Sequence, residues 1–146
     1  MPPTIQPSNS DDDRETVFSW LREFNHSENG QFMRLLDEQD ATPVFLVARC
    51  DQGNVVGGLT GETFLDWLKV NIMAVHSDHR RQGIGSELLA AAEEHARTQG
   101  CLYSYVDSMS HQAPNFYLGN GYQEVGRLPN WDSHGHDKFF FTKPLT

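Results

Sequence analysis

The stretch Arg80-Arg81-Gln82-Gly83-Ile84-Gly85-Ser86 joins an apolar, strand-like run to a strongly amphipathic helix, and this junction constrains the chain more than any other segment. A glycine pair at such a place lets main-chain amides approach an anion closely. The helix that begins there adds N–H groups without intrahelical partners and the positive end of its dipole. The loop therefore reads as an anion cradle. Its spacing separates it from two other cradles: no Gly-Lys-Ser/Thr closes it as in a P-loop, and no third glycine completes a Gly-x-Gly-x-x-Gly dinucleotide loop.

The helix after the loop is the clearest element of the chain. Ile84, Leu88, Leu89, Ala92 and Ala96 form one apolar stripe, Glu87, Glu94 and Arg97 lie off it, and Gly100 is placed to end it in a left-handed conformation. Upstream, Val17, Trp20, Leu21 and Phe24 follow helical spacing, and a second amphipathic piece through Phe32, Leu35 and Leu36 follows the Asn29-Gly30 break. Residues 43–50 and 55–60 read as a hairpin around Asp51-Gln52-Gly53-Asn54, with Gly57 and Gly58 suited to a bulge. Residues 64–76 read as a third strand that runs into the glycine loop. Beyond the helix, residues 101–106 read as a strand, 113–118 as a short helix, and 122–128 and 139–142 as strands. Hairpins plus one strand–helix–strand crossover imply an α/β (α+β) fold: a mixed, mostly antiparallel sheet of about six strands, flanked by helices on both faces.

A chain of 146 residues suits one domain. Residues 1–13, rich in proline and acid, read as a disordered lead-in rather than a signal peptide, and residues 14–146 as the single domain. No run approaches the roughly 18 apolar residues of a membrane helix, so no membrane partner is expected. Cys50 and Cys101 fall in or beside apolar runs and form no disulfide framework, which suits a cytoplasmic setting. The formal net charge of -9 argues against nucleic acid as a partner. It is compatible with an anionic ligand at the loop, because screening acts beyond about 8 Å and Arg80 and Arg81 make the mouth locally positive. An exposed sheet edge would suit a homodimer.

The loop resembles motif A, Arg/Gln-x-x-Gly-x-Gly/Ala, of the Gcn5-related N-acetyltransferase (GNAT) superfamily. Downstream, Ser110-His111-Gln112-Ala113-Pro114-Asn115-Phe116-Tyr117-Leu118-Gly119-Asn120-Gly121-Tyr122 resembles the motif B of the same superfamily, Asn-x-x-Ala-x-x-Phe-Tyr-x-x-x-Gly-Phe/Tyr. The two motifs in order, with a helix and strand between, are far more specific than either alone. Ser110 departs from the family's usual Asn. The resemblance covers roughly residues 44–145, points to a branch of small bacterial members of unassigned acceptor, and leaves the usual first strand missing or reduced to residues 4–6.

The resemblance implies acetyl-CoA as cosubstrate, no metal, and direct transfer of acetyl to a primary amine of a small molecule or peptide. It places the pyrophosphate on the amides of Gln82, Gly83, Ile84, Gly85 and Ser86 with Arg80 and Arg81, and the pantetheine arm along Met73, Ala74 and Val75, with Ser110 as a further contact. Tyr117 is implied beside the sulfur, as the acid that protonates it. For the base, Lys69 stands where some relatives carry Glu. Asp107 is the first candidate, with Glu62, Asp66 and His136 as alternatives. Glu62, Asp66, Trp131 and His136 are candidates for the acceptor pocket. The His- and Asp-rich residues 131–137 suit a wall of that pocket better than a metal site, because no cysteine or remote third ligand joins them. Lys69 and Ser110 also leave open a non-catalytic acyl-CoA-binding sensor or regulatory module.

Overall fold

The computed structural model describes residues 1–112 and 114–146; Ala113, expected to open the short helix, lies outside the described residues. The chain forms two compact units, Met1–Asp40 and Ala41–Thr146. The first holds α1 (Asp11–Glu28) and α2 (Gly30–Glu38). The acidic run expected in the lead-in belongs to α1. Ser10 caps the helix, its Oγ accepting from the Asp13 N–H at 3.2 Å, and Asp11, Asp12 and Asp13 complement the dipole in the first turn. The Asn29 N–H donates to the Asn25 carbonyl at 2.7 Å, and α2 opens at Gly30. Residues 4–6 form no strand; the flanking prolines Pro2, Pro3 and Pro7 lack the N–H that a ladder needs.

The second unit is a six-stranded sheet ordered β1 (Thr42–Arg49), β2 (Val55–Phe64), β3 (Trp67–Val75), β4 (Tyr103–Met109), β6 (Lys138–Pro144), β5 (Gln123–Leu128). Among the described residues only β3 and β4 pair in parallel, joined by α3 (Ile84–Thr98), and α4 (Pro114–Gly119) follows β4. The order of elements is the expected one, and the turn between the second and third strands moves most. Phe64 pairs with Trp67, so β2 and β3 form a hairpin whose turn is Leu65-Asp66, with Leu65 at φ 52°. Gly57 and Gly58 pair with Ala48 and Val47, directly after a register shift at Val56, which has no opposite residue on β1, so the expected bulge lies beside them. Gly57 also packs closely, since a Cβ there would lie 3.2 Å from Ile84 Cγ2 on α3 and 3.3 Å from the Ala74 carbonyl oxygen. A further bulge falls between Thr60 and Gly61, where Asn71 of β3 has no opposite residue.

The core lies between the sheet and α3: Leu59, Leu68, Val70, Val106 and Phe141 face Leu88, Leu89, Ala92 and Ala96. Glu93, on the buried side of α3, is 4% exposed. Its carboxylate accepts from Lys143 Nζ at 2.8 Å and from the Tyr122 hydroxyl at 2.9 Å. Because that single phenolic proton goes to Glu93, the Ser104 hydroxyl, 2.7 Å from the Tyr122 oxygen, is the donor there. Burial holds the Tyr122 phenol far above its ordinary value, so it remains a donor. Glu93→Ala should cost about 3 kcal/mol by stranding these donors, read as a lower urea midpoint; a loss under about 0.5 kcal/mol would mean that the network is solvated. Among the described residues, no helix is long and apolar enough to cross a membrane.

Candidate functional site

The pairing of β3 with β4 runs from Trp67↔Tyr103 to Val70↔Val106 and stops there. Each strand continues, β3 to Val75 against β2 and β4 to Met109 against β6. The two therefore part at their C-terminal ends, and the β4-facing main-chain groups of β3 after Val70 have no ladder partner. This is the crevice outside strand ends where ligands of α/β sheets commonly bind. The bulge sets what lines it. Leu68 and Val70 point into the core, whereas after Asn71 the phase flips, so Ile72 is 66% exposed and Met73 and Val75 turn inward.

A cleft of about 580 Å³ opens at this place, within the range of small-molecule sites. Met73, Ala74 and Val75 line one side, Phe116 and Tyr117 of α4 the other, and the glycine loop closes one end. Gly83 caps α3 at φ 81°, a left-handed conformation that glycine adopts without strain. No side chain caps the helix, and its first internal bond runs from the Glu87 N–H to the Gly83 carbonyl. The amides of Ile84, Gly85 and Ser86 are thus free of intrahelical partners and open to the cleft. A Cβ on Gly85 would stand 3.2 Å from the Phe116 ring, so helix start and α4 meet without room for a side chain. Arg80 and Arg81 line the same end, Arg80 Nε donating to the Val75 carbonyl at 3.3 Å. An uncapped helix start with two guanidinium groups and no carboxylate in the lining is suited to a polyanion.

Tyr117, which lines the cleft, is buried, stacks on Phe141 with ring centroids 5.7 Å apart, and meets Phe116 and Tyr122 edge-on. Burial, and secondarily the negative charge of Asp107, pushes its phenol above the ordinary tyrosine value. It is therefore protonated at neutral pH. Asp107, at the parted end of β4, is half-exposed and 3.9 Å from Lys138, whose ammonium lies 4.3 Å from the Trp131 ring centroid.

The β5–β6 loop is built around Asp132. Its Oδ1 accepts from the His134 and His136 N–H groups at 2.9 and 3.0 Å, and its Oδ2 lies 2.5 Å from His136 Nδ1. The His134 N–H foremost, with the His136 ring and N–H, holds the carboxyl at about 2 against the opposing effect of desolvation. The loop is tied to the turn before α4: the Ser110 N–H donates to the Asp137 carbonyl and the Asp137 N–H to Ser110 Oγ, each at 3.0 Å. The rings of His111 and His136 meet edge-on with centroids 4.9 Å apart.

The cleft brings together Met73, Ala74, Val75, Arg80, Arg81, Gly83, Ile84, Gly85, Ser86 and Tyr117. Gln82 and Ser110 belong to the same segments without lining it, and the Ser110 hydroxyl is engaged by the Asp137 N–H. Asp66 lies in the β2–β3 turn at the far end of β3, about 20 Å from Met73 at a strand's rise per residue, because the hairpin turns later than the sequence suggests. Glu62 is paired with Lys69 within the sheet rather than in a turn. Trp131 and His136 sit in the β5–β6 loop without lining the cleft, and His136 meets it through the ring of His111. His79, His111, Gln112 and Phe116 also line the cleft, without having been given a role from the sequence. Their signal is adjacency: each lies within a few residues of a motif position on the same turn or helix.

Residues 11–122 match the Acetyltransferase (GNAT) family. The chain is similar to Acetyltransferase Atu2258 of Agrobacterium fabrum, with 40% identity over 91 residues, 62% of this chain and 66% of that protein. It is also similar to the Blasticidin-S acetyltransferase of Streptomyces morookaense, with 38% identity over 82 residues, 56% of this chain and 60% of that protein. The matched stretch thus spans no more than about two thirds of either relative. Among solved structures, an acetyltransferase from Bacillus cereus superposes with a TM-score of 0.74 at 31% identity, covering 97% of both chains.

Proposed function

Because this chain belongs to the Acetyltransferase (GNAT) family, we propose that it is an acetyl-CoA-dependent N-acetyltransferase that moves acetyl directly to a primary amine of a small molecule or peptide. One observation carries the reading: the uncapped amides of Ile84, Gly85 and Ser86, with Arg80 and Arg81, line the same cleft as Tyr117, a protonated phenol. The residues fit the cosubstrate. The amides and guanidinium groups match a diphosphate, and the unpaired edge of β3 matches an extended amide-bearing arm added like a strand.

The cosubstrate supplies an acetyl group activated as a thioester. The main chain of Met73, Ala74 and Val75 holds it in line, and an N–H of this edge donates to the carbonyl oxygen as negative charge develops there. Tyr117 gives its proton to the departing sulfur and regains one from the nitrogen that has formed the new bond, so no covalent enzyme intermediate is required. Cys50 lies in the β1–β2 turn and Cys101 precedes β4 at its far end, and neither lines the cleft, so neither supplies an acyl nucleophile here.

The test is a thermal melt with acetyl-CoA, followed by thiol release against a panel of amines. Gly83→Glu is the informative variant: a Cβ at Gly83 meets nothing within 4 Å, so its own cost is backbone strain of about 1 kcal/mol, while the carboxylate lies against the anion site. Wild type should be stabilised by acetyl-CoA and the variant should not. Absence of stabilisation in wild type removes the reading; binding without turnover of any amine leaves an acyl-CoA-binding module.

A further inference from the structure

The proposed transfer leaves one task without an owner. An alkylammonium acceptor with a pKa near 10 must lose a proton before it can attack, and an aspartate is a poor match for that proton. Asp107 is in addition partly committed to Lys138 at 3.9 Å. A side chain that both takes and releases protons between pH 5 and 8 is imidazole.

Resting on that reading, we propose that His136, oriented by Asp132, is the base that takes the proton of the acceptor ammonium, and that the acceptor enters over the β5–β6 loop past His111. His136 Nδ1 lies 2.5 Å from Asp132 Oδ2, so Nδ1 carries the hydrogen and Nε2 is left as the acceptor. Asp132 cannot swing away, because the His134 and His136 amides hold its other oxygen. With its carboxyl held at about 2, it is an anion at any working pH and offsets the charge of the imidazolium. This is the arrangement by which a carboxylate fixes the tautomer of a basic histidine.

Position agrees with chemistry. The bond from the Ser110 N–H to the Asp137 carbonyl extends the β4–β6 pairing past Met109↔Lys138, and the Asp137 N–H is tied to Ser110 Oγ; His136 then stands beside His111, which lines the cleft. Two titratable groups face the His136 ring: Asp132 from its own loop and His111 from the turn before α4. The neighbouring Asp137 carboxylate is directed elsewhere, accepting from the Asn130 N–H at 2.9 Å and lying 3.8 Å from Arg127. The proton balance is simple. The ammonium N–H bond breaks, the proton passes to Nε2, the freed lone pair attacks the thioester carbonyl, and the imidazolium returns its proton to solvent. The second nitrogen proton replaces the one Tyr117 gave to sulfur.

The experiment is the pH profile of kcat/KM for wild type, His136→Gln and Asp132→Asn with an amine that wild type acetylates, beside acetyl-CoA affinity and added imidazole. His136→Gln should lower kcat/KM about 100-fold, remove the acid limb, keep acetyl-CoA affinity within about twofold, and recover part of the rate with imidazole. Asp132→Asn should move the acid limb to lower pH, because the imidazolium loses its carboxylate and the neutral ring persists further down. An unmoved limb in His136→Gln overturns the proposal while leaving the transferase reading intact. Loss of rate together with equal loss of acetyl-CoA affinity and no imidazole rescue assigns His136 a structural role and overturns it too. Turnover of no amine by wild type overturns both.

Discussion

Tyr117→Phe should lower kcat for amine acetylation about 100-fold while leaving the melting temperature and acetyl-CoA affinity nearly unchanged. Only a hydroxyl is removed. The ring keeps its stack on Phe141 and its edge contacts with Phe116 and Tyr122, so the packing that makes Tyr117 part of the core survives. What is lost is the proton for the departing sulfur. The upward shift from burial and from Asp107 means that this phenol stays protonated beyond the usual tyrosine range. Wild type should therefore show no alkaline loss of kcat from Tyr117 until pH exceeds the ordinary value near 10. A variant with wild-type kcat would reduce Tyr117 to a wall of the cleft.

Gly61→Ala should destabilise the protein by on the order of 4 kcal/mol, at the upper end of single substitutions. A Cβ at Gly61 would fall 2.3 Å from the Lys69 carbonyl oxygen and 3.4 Å from Val70 Cα. Both are main-chain atoms of the paired strand, so relief requires opening the β2–β3 ladder itself. Gly61 is also the residue at which the register shifts, so the same change should disturb the segment after Asn71 that lines the cleft. Urea unfolding measures the first effect and the acetyl-CoA melt the second. A loss of under about 1 kcal/mol would mean that the ladder at Gly61 yields easily.

These two positions differ in how far the sequence exposes them. Tyr117 stands in a motif of consecutive residues, and the glycine loop does too, so local spacing suffices to set both on the page. The α3 stripe is equally local, since helix periodicity is a property of neighbours along the chain. Glu93 is the exception on that helix. Its position four residues after Leu89 puts it on the buried side, yet its charge reads as solvent-facing until Lys143 and Tyr122 are seen to meet it. Gly61 carries no local mark at all, because its requirement comes from a carbonyl across the ladder. The displaced β2–β3 turn has the same origin: Leu65 adopts φ 52° against its own preference because Phe64 and Trp67 pair on either side. With the turn moved, Asp66 goes to the far end of β3 and leaves the site.

The order of helices and strands, the glycine loop that opens α3 and the motif that carries Tyr117 are determined by the sequence alone, because each depends on residues close together in the chain. Only the tertiary structure decided where β3 parts from β4, which way Met73 and Val75 face after the bulge, and that Asp132, His136 and His111 gather beside the cleft. Those outcomes depend on register between strands and on loops brought together by the ladder of β4 with β6. A single-residue slip in either reverses the face of every side chain beyond it, and no local pattern specifies against such a slip.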